Sequence, residues 1–268
     1  MKMRESRVLK KMRAGEVATS VKLNMADPVA TELAGLAGFD CVWLDMEHVP
    51  HTDTDILNHI RAAKMHDMDT LVRVKRGSYS DLIHPLEMDS AGIMVPHLMS
   101  LEEAKKIVYY TKFHPVGRRP LDGGFADGGY CQVPMDEYLK TANEQRFVVV
   151  QIEDPEPLDE LEEIAKLDGI DMLFFGAADF SQGIGTPAQF DNPKIADTRK
   201  RVAKVARKHG KFAGVPGGVG QFDELAAEGF QYISVGADVY GLGLYFNEIV
   251  AGIKGTKAGG AASVYSGK

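Results

Sequence analysis

FVVVQIEDPEP, residues 147–157, is the stretch whose reading decides the fold. Its apolar, β-branched run is continuous, as in strands of parallel sheets that are buried on both faces. Gln151 and Glu153 lie two apart and therefore share one face at the strand's C-terminal end. An amide and an acid are costly to bury there unless they hold something. IDMLFFGAAD, residues 170–179, reads as the next strand and is expected to end on a second carboxylate, Asp179. Two carboxylates offered by adjacent strand ends to one mouth make a hard-cation site.

Working outward, the pattern repeats. Further strands are expected at 17–23, 39–47 (FDCVWLDME), 70–75 (TLVRVK), 92–98 (GIMVPHL), 212–218 (FAGVPGG) and 232–238 (YISVGAD). Helices fall between them. One spans 27–37, capped by Asp27 and closed by Gly38, and another opens at Ser100 with Glu103 at capping-box spacing. A Gly-, Pro- and Arg-rich loop covers 115–134. Eight strands alternating with eight helices predict an α/β chain folded as one (β/α)8 TIM barrel over residues 1–254. An amphipathic helix leads it, and a loose Gly/Ala/Ser tail follows at 255–268. The competing doubly wound sheet is disfavoured because no G-x-G-x-x-G follows the first strand.

Composition narrows the function. A chain of 268 residues, 44% hydrophobic, can bury one large core, and a formal charge of −7 gives no basic footprint for nucleic acid or an anionic membrane. Cys41 and Cys131 suggest no disulfide framework. The charged N-terminus lacks a signal-like apolar region and no run reaches transmembrane length, so a cytoplasmic address is expected.

In such barrels the reacting groups stand at the C-terminal strand ends. Those ends supply Asp45, Glu47 and His48, then Arg73 and Lys75, then Gln151 and Glu153, then Gly176, Ala178 and Asp179. Each also has an ordinary reading. Arg73 could pair structurally with Glu153 or Asp45, and Glu153 and Asp179 could cap turns. His48 stands out among the histidines because it follows two acids at a strand end, with His97 intermediate. Lys75 raises Schiff-base chemistry, but the Arg76-Gly77 that follows indicates an exposed turn. GVPGGVG, residues 214–220, could cradle a phosphate or form a tight turn.

WLDMEHVP, LVRVK, GIMVP, VVQIED and FFGAADFSQGIG, in this order, resemble the HpcH/HpaI aldolases, metal-dependent class II pyruvate aldolases, over about residues 9–253. The resemblance implies a divalent ion (Mg2+, Mn2+ or Co2+) held by Glu153 and Asp179, with His48 as base and Arg73 steadying the enolate oxygen. It further implies that backbone near Gly176, Ala178 and Asp179, with Gln151 nearby, receives a pyruvate carboxylate. The family's aspartate that pairs with the histidine falls on Glu87, leaving Glu87 or Asp45 to orient His48. Met46, Lys75 and Ala177 depart from the family's usual glycine and prolines, and 122–129 with Arg118 and Arg119 would shape the second-substrate pocket. The implied activity is aldol cleavage or condensation of 4-hydroxy-2-oxo acids, with small-molecule substrates and a homo-oligomer, a hexamer in the family. Alternatives are a 2-oxo acid decarboxylase or CoA-ester lyase on the same barrel, or a phosphosugar isomerase or lyase using 214–220.

Overall fold

A computed structural model describes residues 2–257. The expected tail falls largely outside the described residues. Eight parallel strands close into a barrel in strict chain order. They are β1 (Ala18–Leu23), β2 (Cys41–Asp45), β3 (Asp69–Arg73), β4 (Gly92–Val95), β5 (Phe147–Ile152), β6 (Met172–Phe175), β7 (Phe212–Gly217) and β8 (Tyr232–Ala237). Around them run α1 (Arg7–Arg13), α2 (Val29–Ala37), α3 (Asp53–Met65), α4 (Tyr79–Glu87), α5 (Leu101–Thr111) and α6 (Met135–Gln145). The ring continues with α7 (Leu161–Lys166), α8 (Ala177–Gly183), α9 (Pro193–Lys208), α10 (Phe222–Ala227) and α11 (Asp238–Lys254). Every residue of β2 to β6 is buried, because helices cover the outer face and side chains fill the lumen.

Two packed layers result. Outward-facing residues such as Val42, Val72, Ile93, Val150 and Leu173 join the helices in the main core. Inside, Trp43, Phe174 and Tyr232 meet edge to face and plug the barrel, with Trp43 and Phe174 centroids 5.5 Å apart. Above this plug the strand ends turn polar.

Three expectations need correction. The strand expected to reach Asp179 stops at Phe175: Gly176 breaks it, and the helix-forming residues that follow make α8, so Asp179 stands in a helix's first turn. The stretch 214–220, readable as a phosphate cradle or a tight turn, forms a strand end and a turn rather than a free loop. Residues 214–217 belong to β7 and pair with β8, and the Gly218 N–H donates to Gln221 Oε1 at 3.1 Å. Arg119 does not face the mouth; it is buried against Asp127 (2.8 Å) and over the Phe113 ring.

The last helix sits loosely. Of the 17 residues of α11 only Ala251 is buried, while Tyr245, Phe246 and Ile253 are exposed. Between α11 and α2 opens an apolar groove of about 530 Å3, lined by Leu23, Val29, Leu33, Leu242 and Tyr245. No helix among the described residues is long and apolar enough to cross a membrane.

Candidate active site

The C-terminal strand ends surround a cavity of about 290 Å3. Lys22, Trp43, His48, Arg73, Gln151, Glu153, Gly176, Ala178 and Asp179 all line it. Most of the sequence-predicted residues thus converge, while Asp45, Glu47, Glu87 and Lys75 are not part of this lining.

At the end of β2, Asp45 shapes the turn that follows. Its Oδ1 accepts the backbone N–H of Glu47 (3.0 Å) and of His48 (3.4 Å), pulling the chain out of the strand direction. The same carboxylate takes Arg73 Nε at 2.9 Å and Nη2 at 2.5 Å, side by side across the β2–β3 ladder, where Asp45 and Arg73 are register partners. Lys22 Nζ approaches Asp45 Oδ2 at 2.7 Å. Burial opposes ionisation of Asp45, but the Arg73 and Lys22 contacts outweigh it and hold the carboxyl well below the usual carboxylate range. Arg73 Nη1 also reaches Glu47 Oε2 at 3.0 Å, so its fork bridges two acids while its plane lies over Trp43. Its pKa is raised: burial works against the charge, and Asp45, Glu47 and Glu153 more than compensate.

Across the mouth, Gln151 and Glu153 do share a face: Gln151 Nε2 donates to Glu153 Oε2. Glu153 Oε1 accepts the His97 N–H at 2.9 Å. Burial pushes the Glu153 pKa up to about 7; the His97 N–H, the His97 ring and Arg73 pull it down, and the charge of Asp179 adds to the rise. Glu153 and Asp179 both line the cavity, and the Asp179 charge acts on Glu153. Among the described residues Asp179 has no ion pair or hydrogen bond to its carboxylate, and Gln151 Oε1 is buried without a partner. The chain comes so close at Gly176 that a Cβ there would lie 2.5 Å from Glu153 Oε2.

These features bear on whether a divalent ion fits. Hard oxygen donors are offered by Glu153 and Asp179, and the orphaned Gln151 Oε1 adds an acceptor. Among the described residues no group of three His, Cys, Asp or Glu is disposed to hold a metal. A two-carboxylate site therefore leaves several coordination positions to substrate oxygens and water, the usual arrangement for Mg2+-type ions. The residues fit the ion.

His48 is exposed at the rim, with Nε2 3.7 Å from Glu47 Oε2. Neither expected orienting acid touches its ring among the described residues. Asp45 reaches His48 only through the backbone N–H. Glu87 lies at the end of α4, in a separate groove with Asp53, His84 and Phe125, and its backbone carbonyl accepts the Asp127 N–H. Its pKa is raised by burial, tempered by Arg119. Lys75 is exposed beyond β3, outside the cavity.

Sequence reasoning missed Lys22 and gave no role to Glu47 or His97. His97 adopts a left-handed φ of 50°, which aims its ring at Asp154 (Nδ1, 2.8 Å) and Glu47 (Nε2, 3.5 Å). Burial lowers its pKa but the three surrounding acids raise it further, to a net increase.

A sequence profile of the HpcH/HpaI aldolase/citrate lyase family matches residues 21–242. The chain belongs to this family. It is 27% identical over 231 residues to a 2-keto-3-deoxy-L-rhamnonate aldolase of Escherichia coli O17:K52:H18, covering 85% of each chain. It is 28% identical over 263 residues to a hydroxypyruvate/pyruvate aldolase of Pseudomonas aeruginosa, covering 96% of each. The fold is also that of the HpcH/HpaI aldolase from Desulfitobacterium hafniense DCB-2, with a TM-score of 0.86 at 24% identity over 96% of this chain and 98% of that one. Membership in this family makes the protein a carbon–carbon lyase of the aldolase type, and the strand-end cavity is its candidate active site.

Proposed function

We propose that the protein is a divalent-metal-dependent aldolase that joins a pyruvate-type 2-oxo acid to an aldehyde, and cleaves the corresponding 4-hydroxy-2-oxo acid. The observation that carries this reading is that Glu153 and Asp179 line one cavity, with Arg73 and its paired acids on the same lining. A divalent ion held by those two carboxylates would polarise the keto oxygen of the 2-oxo acid and acidify its methyl group. Arg73, fixed by Asp45 and Glu47, presents a rigid guanidinium to the oxygen on which negative charge develops, an effect worth about 3 kcal/mol per donor in comparable sites.

His48 takes the proton from the methyl carbon, the resulting enolate carbon bonds to the aldehyde carbon, and the proton returns to the aldehyde oxygen. Cleavage runs the same steps backward. The Gly176 N–H is taken by the Ile152 carbonyl (3.1 Å), so the Ala178 and Asp179 N–H groups in the first turn of α8 are the ones offered to the substrate carboxylate, with the Gln151 amide beside them. Decarboxylation of oxaloacetate passes through the same enolate and belongs to this reading as a side activity.

The apolar groove between α2 and α11 supports a homo-oligomer in which α11 of one copy packs on another, and the family resemblance implies a hexamer. Two unbridged cysteines agree with a cytoplasmic enzyme. The test is exchange of pyruvate methyl protons into heavy water, followed by a panel of aldehydes. Exchange should require Mg2+, Mn2+ or Co2+ and cease with chelator, and borohydride with pyruvate should trap no adduct. Exchange that persists in chelator, or a trapped lysine, would overturn the reading.

A further inference from the structure

Among the described residues Lys22 is the one lysine that lines the cavity, and its neighbours give it a role. It stands on the lumen face of β1 beside Trp43, its register partner on β2, with Nζ 5.3 Å from the centre of the indole ring. Only 3% of the residue is exposed. Its Nζ meets the same oxygen, Asp45 Oδ2, that accepts Arg73 Nη2. Lys22, Asp45, Arg73 and Glu47 thus form one continuous ionic chain along the cavity wall, two cations against two anions. The Trp43 indole N–H, buried in the same wall, has no partner.

The charge balance has a direct consequence. With Lys22 the chain is neutral, and Arg73 shares Asp45 with another cation. Without Lys22 the chain carries one net negative charge, Asp45 becomes a full counter-ion to Arg73, and an anionic substrate meets a wall of its own sign. We propose that Lys22 is a positioning residue that keeps Arg73 under-neutralised, so that the cavity can accept the extra negative charge of the enolate. The inference rests on the aldolase reading above, and acts through Arg73. Because the Lys22 Nζ is engaged by Asp45, the residue is not a Schiff-base nucleophile here.

The test compares two ligands of different charge in the Mg2+-loaded protein, by calorimetry: pyruvate, with one negative charge, and oxalate, a planar dianion resembling the enolate. In Lys22→Met, oxalate affinity should fall about 100-fold and pyruvate affinity about tenfold, from one missing charge at a few ångströms in a partly screened site. Pyruvate methyl exchange should fall with oxalate affinity, and Lys22→Arg should restore both. Equal losses for the two ligands, no loss, or failure of Lys22→Arg to restore would overturn the proposal. So would failure of both Lys22→Met and Lys22→Gln to fold, since Lys22 would then belong to the scaffold. Wild-type protein that neither exchanges pyruvate protons nor binds oxalate with Mg2+ would instead remove the aldolase reading itself.

Discussion

The barrel carries acids at both of its ends, and the two ends treat them differently. At the N-terminal end, Asp40 precedes β2 and Asp69 opens β3. Asp40 takes Arg7, Lys11 and both the N–H and hydroxyl of Thr19. Asp69 takes Arg4, Ser6 Oγ at 2.6 Å and the Val8 N–H at 2.9 Å. These carboxylates knit α1 to the barrel floor and have little capacity left. At the C-terminal end, Glu153 is loaded with two donors and still has a raised pKa, Asp179 has none, and Gln151 Oε1 is orphaned. A buried acid by itself marks neither stability nor chemistry. What separates the two ends is whether the local charges close on themselves or leave a deficit for a ligand to fill.

The sharpest way to break this contrast is a pair of substitutions. Glu153→Ala should abolish divalent-ion binding and reduce methyl exchange by at least about 1,000-fold while the thermal midpoint changes little, because the relieved desolvation cost of a buried acid offsets the loss of its bonds to the His97 N–H and Gln151 Nε2. Asp69→Ala should do the reverse. It strands Arg4, Ser6 and the Val8 N–H, costing about 3 kcal/mol of stability by chemical denaturation, with kcat of the folded enzyme within about threefold of wild type. If Asp69→Ala proves as inactive as Glu153→Ala with unchanged stability, the two ends are not distinct.

Next in size is Gly176→Ala. The added Cβ would press on Glu153 Oε2 and Gln151 Nε2, so ion affinity should drop by about 100-fold without loss of fold. Unaltered affinity by calorimetry would show that Glu153 has another position from which to bind.

A smaller effect is the pH dependence. Glu153 must shed its proton for the ion, and burial raises its pKa to about 7. Apparent ion affinity should therefore fall about tenfold for each pH unit below 7 and level off above it. A flat profile between pH 5 and 7 would place the ion elsewhere. The smallest effect on chemistry is expected from Leu33→Glu in the α2–α11 groove: light scattering should report a smaller particle, with the exchange rate per subunit largely kept.

Much of the fold was legible because parallel strands under helices are apolar throughout, and Glu153 and Gln151 interrupt that rule where only a lumen-facing pair could. Lys22 escaped notice for the opposite reason. In SVKL, the polar face of an alternating strand ordinarily reads as the wet face, whereas in a barrel it turns inward above the aromatic plug. FFGAAD reads as a strand running to Asp179, and the signals against it are slight: one glycine followed by two alanines, with the press of Gly176 against Glu153 visible only in the fold. The expected partnership of Glu87 with His48 came from resemblance alone, and the end of α4 sends Glu87 toward Arg119 and the loop at 115–134.

The account depends most on a shared ion between Glu153 and Asp179. Titration of Mn2+ into wild type, Glu153→Gln and Asp179→Asn, read by the relaxation of water protons, tests it most directly. One tight site should be present in wild type, absent in either variant, and perturbed by added pyruvate. Full-strength binding in both variants, or a bound ion indifferent to pyruvate, would contradict it.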